Sequence, residues 1–143
     1  MVFDLDGVLV ETRRANELAY RYAGVVPPGN HHVVPWQTWT TKEVHDAKNA
    51  ALSKFIGEIR ALPLMDLITS QTIVLSNCSD PAMKLLASLY EPLQHCSIHN
   101  NLDASGKTRF LWGARPIGVY FDDSAEVCAL VKTHTEWQTC RVL

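Results

Sequence analysis

No stretch of this chain is apolar for long enough to cross a membrane. The segment poorest in charge, residues 24–41, has no Asp, Glu, Lys or Arg, but Pro27, Pro28, Gly29, Pro35 and several histidines and polar residues exclude a span. No charge of one sign dominates: 13 Lys and Arg stand against 15 Asp and Glu, a net charge of −2. The chain therefore has no electrostatic footprint for nucleic acid or an anionic membrane surface. A phosphorylated nucleic-acid end is still an eligible substrate, but bulk attraction would not deliver it. Cysteine is scarce. The four residues Cys78, Cys96, Cys128 and Cys140 contain no CxxC pair, and their spacing gives neither a zinc site nor a disulfide framework. Reduced thiols and a cytoplasmic location are the expectation. A secretory signal is not expected, because the opening apolar stretch is short and carries acids instead of bases. Internal repeats and low-complexity tracts are also missing.

What remains is a chain of 143 residues, 47% apolar and 20% charged. That suits one domain with a sizeable core and room for a small insertion. Met1–Asp6 reads as a short strand ending in a turn at Gly7. Thr12 is placed to cap a helix whose Ala15, Leu18, Ala19 and Tyr22 share a face. The Pro-rich stretch Gly24–Trp39 reads as irregular. Thr40-Thr41-Lys42-Glu43 matches a capping box. Val44, Ala47, Ala51, Phe55, Ile59 and Leu62 then keep helical spacing, which predicts one helix to about Leu62, before Pro63. A short helical piece is expected at Leu64–Thr69.

The compact apolar run Thr72–Leu75 reads as a strand buried on both faces, ending at Ser76-Asn77. Asp80-Pro81 then reads as a cap and first helical residue, with Ala82, Leu85, Leu86 and Leu89 facing inward. A strand at Cys96–His99, a helix at Lys107–Trp112, and a strand at Gly118–Phe121 ending in Asp122-Asp123 follow. A helix at Ser124–Lys132, with Val127, Leu130 and Val131 inward, and a last strand at Thr139–Leu143 complete the chain. Alternating strands and helices predict a Rossmann-like α/β fold: an open, mostly parallel sheet with helices on both faces.

In such sheets ligands bind beyond the carboxyl ends of the strands. Three expected strands end there in polar groups: Asp4 and Asp6, Ser76 and Asn77, and Asp122 and Asp123. Side chains at i and i+2 share a face of a strand, so Asp4 and Asp6 project together. Acids crowded in this way need a cation, or one must hold a proton. An all-oxygen donor set with waters suits Mg²⁺. A carboxylate beside such an ion is equipped to attack phosphorus.

These segments resemble the motifs of the haloacid dehalogenase-like superfamily. "FDLDGVLVET" is similar to motif I, DxDG[VT]L after a hydrophobic strand; "IVLSN" to motif II; "SGKTRFL" to motif III, which supplies a lysine; and "GVYFDDS" to motif IV, a strand ending in paired acids. Their order is the family's order. The resemblance implies that Asp4 is the nucleophile, forming an aspartyl-phosphate, and that Asp6 is first the general acid and then the base. It implies that Ser76 holds the transferring phosphoryl group, with Asn77 beside it, and that Lys107 neutralises charge there and steadies Asp4. Mg²⁺ would be held by Asp4, the main-chain carbonyl of Asp6, and Asp122, with Asp123 assisting.

An acid at position 6 favours phosphomonoester hydrolysis or phosphomutase chemistry over the dehalogenase and phosphonatase branches. The expected domain is a core of residues 1–12 and 63–143 with a small helical cap insertion at about 13–62. The expected partner is a small phosphorylated substrate or a phosphorylated nucleic-acid end, with nucleotides foremost by family analogy. A phosphomutase and a non-catalytic phosphate-binding module are the alternatives.

Other readings carry less. Lys84 is the rival of Lys107 but falls in the helix after motif II. "DASGKT" lacks the first glycine of a phosphate-binding P-loop, since Asn101 stands there, and no apolar strand leads into it. His31, His32, His95 and His99 lack a convincing set of partner ligands and read as surface histidines. Cys78 reads as a small packed residue.

Overall fold

The structure, a computed structural model, describes residues 1–143. Strands β1 (Val2–Asp4), β4 (Ile73–Leu75), β5 (Ser97–His99), β6 (Val119–Asp122) and β7 (Gln138–Arg141) form one five-stranded sheet. Their spatial order is β5-β4-β1-β6-β7, and every pairing is parallel. This is the expected Rossmann-like α/β architecture. Its interior strands are short apolar runs because a sheet covered on both faces needs no alternation of polar residues. Two further short strands, β2 (Val10–Glu11) and β3 (Arg60–Ala61), pair with each other.

The chain divides into two compact units. The first is Met1–Val10 with Ala61–Leu143; the second is Glu11–Arg60. In the first, α4 (Ala104–Gly113) and α5 (Ala125–His134) bring Leu111, Val127 and Val131 into one buried cluster with Val2, Leu75, Tyr120 and Trp137. Phe3 and Phe121, offset by one residue from that face, stack at 4.9 Å. Helix α3 (Asp80–Leu89) starts one residue earlier than expected. Ser79 is its cap position, and the Asp80 carboxylate instead accepts from Asn101 Nδ2 at 3.2 Å. The helix buries Ala82, Met83 and Leu86, whereas Leu89, expected inward, is exposed.

The second unit packs α1 (Arg13–Tyr22) with α2 (Lys42–Ala51). Here the structure corrects four expectations. On α1 it is Tyr20 that is buried, while Tyr22 is 63% exposed. The Tyr20 hydroxyl and His45 Nδ1 are hydrogen-bonded at 3.1 Å, and the Tyr20 ring meets Trp39 edge-on. Tyr22 meets the Phe55 ring edge-on at 6.4 Å and lies 5.2 Å below the Lys54 ammonium, both at the surface of the unit. On α2 the cap is Thr41, whose hydroxyl accepts from the Val44 amide, so the capping box beginning at Thr40 does not form.

Helix α2 also ends at Ala51, not near Leu62. A 3₁₀ segment, Leu52–Glu58, takes over, broken at Phe55, and the chain is extended again at Arg60–Ala61. Apolar spacing continued past Ala51, but it cannot register that residues 60 and 61 are needed in β3. The buried face of α2 is His45, Lys48, Asn49 and Ala51 in place of the apolar row through Val44 and Ala47. On that polar face Lys48 Nζ donates to Asn16 Oδ1 at 3.0 Å and His45 stacks on Trp36 at 4.1 Å, whereas both side-chain polar atoms of Asn49 are buried without a hydrogen-bond partner.

Candidate active site

Three adjacent strands, β4, β1 and β6, end side by side, and their last residues or the next ones are Ser76, Asp4 and Asp122. Asp4 closes β1, pairs in register with Leu75, and is 7% exposed. Asp122 closes β6 and is fully buried. Lys107 arrives from α4. The Asp103 carboxylate caps that helix by accepting from the Gly106 amide at 2.8 Å, which sets Lys107 one turn in. Its ammonium donates to Asp4 Oδ1 at 2.8 Å and lies 3.5 Å from Asp122 Oδ2. Lys84 is exposed on α3.

Asp123 joins this group. Carboxylate oxygens of Asp4, Asp122 and Asp123 all lie within 4.8 Å of one another. Asp122 is the most firmly held of the three: the Ser124 amide donates to its Oδ1 at 2.9 Å, and the Tyr120 hydroxyl donates to its Oδ2. Gly7 lets Asp123 approach. Its φ is +79°, and a Cβ there would lie 2.1 Å from Asp123 Oδ2, so the turn after β1 admits no side chain.

Three carboxylates face one ammonium, and the electrostatics register the imbalance. Burial holds the Asp4 carboxyl well above the usual range against the pull of Lys107, and the charges of Asp122 and Asp123 push it the same way. Asp123 is pushed up to about 6, first by burial and then by Asp122. Burial alone would lower Lys107, but Asp4 and Asp122 more than reverse that and raise it. Without a further positive charge this group must hold protons. Hard oxygen donors at this spacing fit a small divalent cation such as Mg²⁺.

The other expected site residues are arranged around this group. Ser76 is fully buried, and its hydroxyl accepts from the Cys78 amide at 3.0 Å. Asn77 follows it, half-buried. Asp6 is half-buried in the turn after β1, where it bridges to Val10, and its carboxylate stands outside the three-carboxylate group. The sequence reading missed Tyr120. The signal was present: Tyr120 precedes Asp122 by two residues on one strand, and strand period puts both side chains on one face.

No protein-family pattern and no curated protein sequence matches this chain. Solved structures do. A haloacid dehalogenase-like family hydrolase from Streptococcus pneumoniae is similar with a TM-score of 0.70 and 17% identity, over 96% of this chain and 81% of that one. CbbY from Rhodobacter sphaeroides, solved in complex with phosphate, matches with a TM-score of 0.70 and 13% identity, over 99% of this chain and 85% of its own. A variant of CbbY in complex with xylulose-(1,5)-bisphosphate matches at 0.65, with 14% identity and the same coverage. At these identities the likeness is one of fold: the chain has the fold of haloacid dehalogenase-like hydrolases.

Proposed function

We propose that this chain is a Mg²⁺-dependent phosphomonoester hydrolase working through an aspartyl-phosphate on Asp4. The observation that carries the reading is the buried contact of Lys107 Nζ with Asp4 Oδ1, at 2.8 Å, inside the three-carboxylate group. A lysine in that position fixes the rotation of the carboxylate and draws its pKa downward, as a nucleophile requires. Asp4, Asp122 and Asp123 would hold Mg²⁺ together with the main-chain carbonyl of Asp6. The ion supplies positive charge that keeps these carboxylates ionised and offsets that of the phosphate.

In the first step an Asp4 oxygen bonds to phosphorus as the bond to the leaving oxygen breaks, and Asp6 gives that oxygen its proton. In the second, Asp6 takes a proton from water, the water oxygen bonds to phosphorus, and the bond to Asp4 breaks. Inorganic phosphate leaves, and both carboxyl groups return to their starting states. Lys107 and Ser76, with Asn77 beside it, steady the phosphoryl oxygens, since positioning and charge dominate phosphoryl transfer.

Nucleotides and phosphorylated polynucleotide ends are the proposed substrate class. The bisphosphate bound by the CbbY variant supports testing sugar phosphates beside them. The purified chain with Mg²⁺ is screened for phosphate release from mononucleotides, 5′- and 3′-phosphorylated oligonucleotides and sugar phosphates. Release from at least one class is expected, and Asp4→Asn should lower it by about a thousandfold or more. No release from any class refutes the hydrolase reading; an Asp4→Asn variant as active as the wild type refutes the nucleophile. Transfer of the phosphoryl group back to the product, in place of its release, would make the chain a phosphomutase.

A further inference from the structure

On the first unit, away from the carboxylates, α4 and α5 leave a cavity of about 260 Å³ between them, lined by Ser105, Thr108, Arg109, Trp112, Leu130 and His134. The site described above uses none of these residues. Trp112 is 68% exposed, an unusual setting for the largest apolar ring in a chain whose other indoles are at least partly covered. Arg109 is exposed as well and makes no ion pair or side-chain hydrogen bond. No acidic side chain lines the cavity. The Thr108 hydroxyl is occupied by the Ala104 carbonyl at 2.8 Å. The polar groups left to meet a ligand are therefore the guanidinium, the His134 imidazole and the Ser105 hydroxyl.

We propose that this groove binds a small aromatic anion: a flat ring system carrying one carboxylate. The reasons are charge and shape. An aromatic face beside an unpaired guanidinium favours a planar ligand with an acidic group, because the ring stacks on the indole while the fork of the guanidinium takes both carboxylate oxygens. The all-cationic or neutral lining leaves nothing to repel that charge. Leu130 adds apolar surface to the lining. The volume lies just under the range of drug-sized pockets, which limits the ligand to about two fused rings. The site is independent of the proposed hydrolase activity and requires no phosphate on the ligand.

The test is calorimetric titration of the intact chain with 2-naphthoate, the uncharged 2-naphthalenemethanol as control, and inorganic phosphate as competitor. Saturable binding of naphthoate is expected, weaker by about tenfold or more for the alcohol, and undisturbed by phosphate. Arg109→Gln and Trp112→Ala should each weaken it by about tenfold or more. Both side chains are exposed, so neither change removes a core contact, and circular dichroism confirms that the variants are folded. No saturable binding, displacement by phosphate, or unchanged affinity in either variant overturns the proposal.

Discussion

Both units of this protein bury a lysine among polar groups, and the two settings differ in charge. In the second unit, Lys48 is 7% exposed, bonded to Asn16 and 5.1 Å above the Tyr20 ring, beside a neutral His45 whose pKa burial lowers to about 4. In the first, Lys107 is 5% exposed and stands among three carboxylates. Burial of a polar group is therefore no mark of a site by itself. The Tyr20–His45 pair meets its own needs, as buried polar groups in stable cores do. The carboxylate group does not, and it is the unmet charge that marks it as a place for a ligand.

The sharpest way to break this contrast is to remove Lys107. Lys107→Met leaves Asp4 and Asp122 buried without their ammonium and should cost about 3–5 kcal/mol in urea unfolding of the metal-free protein. A loss near zero would mean that the carboxylates already carry protons enough to be neutral.

Mg²⁺ should come next. At pH 7 and about a hundred times its dissociation constant it should add about 2.7 kcal/mol of stability. The sign of the pH effect follows from Asp123, which is raised to about 6 in the folded chain. The folded state binds more protons than the unfolded one between the ordinary carboxylate range and about pH 6, so metal-free stability falls as pH rises through that window. Mg²⁺ opposes that fall, and its stabilisation should be greater at pH 7 than at pH 5. In the metal-free protein at pH 7, Asp123→Asn should raise the melting temperature, and the same variant should weaken the response to Mg²⁺.

A smaller effect is expected at Gly7. Gly7→Ala puts a methyl against Asp123 and strains a residue at φ +79°, a cost of about 1–2 kcal/mol, with weakened Mg²⁺ binding. Smallest is Tyr20→Phe in the second unit. It should cost about 1 kcal/mol and leave Mg²⁺ affinity unchanged, as measured by calorimetry. A change in affinity there would erase the distinction between the two regions.

The fold was legible where sequence pattern and tertiary demand coincide. The runs "TIVL" and "GVYF" contain most of the strands Ile73–Leu75 and Val119–Asp122, as short apolar stretches bounded by turn residues suit a sheet covered on both faces. The end of α2 was not legible, since the extended backbone at Arg60–Ala61 is imposed by pairing with residues about fifty positions earlier. Nor was the inward turn of Tyr20 in place of Tyr22, which depends on where His45 and Trp39 lie. Of the candidate site, the acids and the lysine stood out by type and spacing. Tyr120 did not, because within an apolar strand a tyrosine reads as core until its hydroxyl is given a partner.

The central place of β1 has one more consequence. Phe3 is in register with Val74 on one side and Phe121 on the other, so the strand bearing Asp4 is seated only when both neighbours exist. Asp4 and Lys107 are 103 residues apart in the chain. Contacts of such long range are slow to form. On a ribosome adding roughly 5–20 residues per second, Asp4 would emerge on the order of ten seconds before Asp122 is made. During that interval β1 lacks its β6 neighbour, and Asp4 lacks Asp122. The carboxylate group is thus incomplete until Asp122 has been made and β6 has paired with β1, however early Asp4 appears.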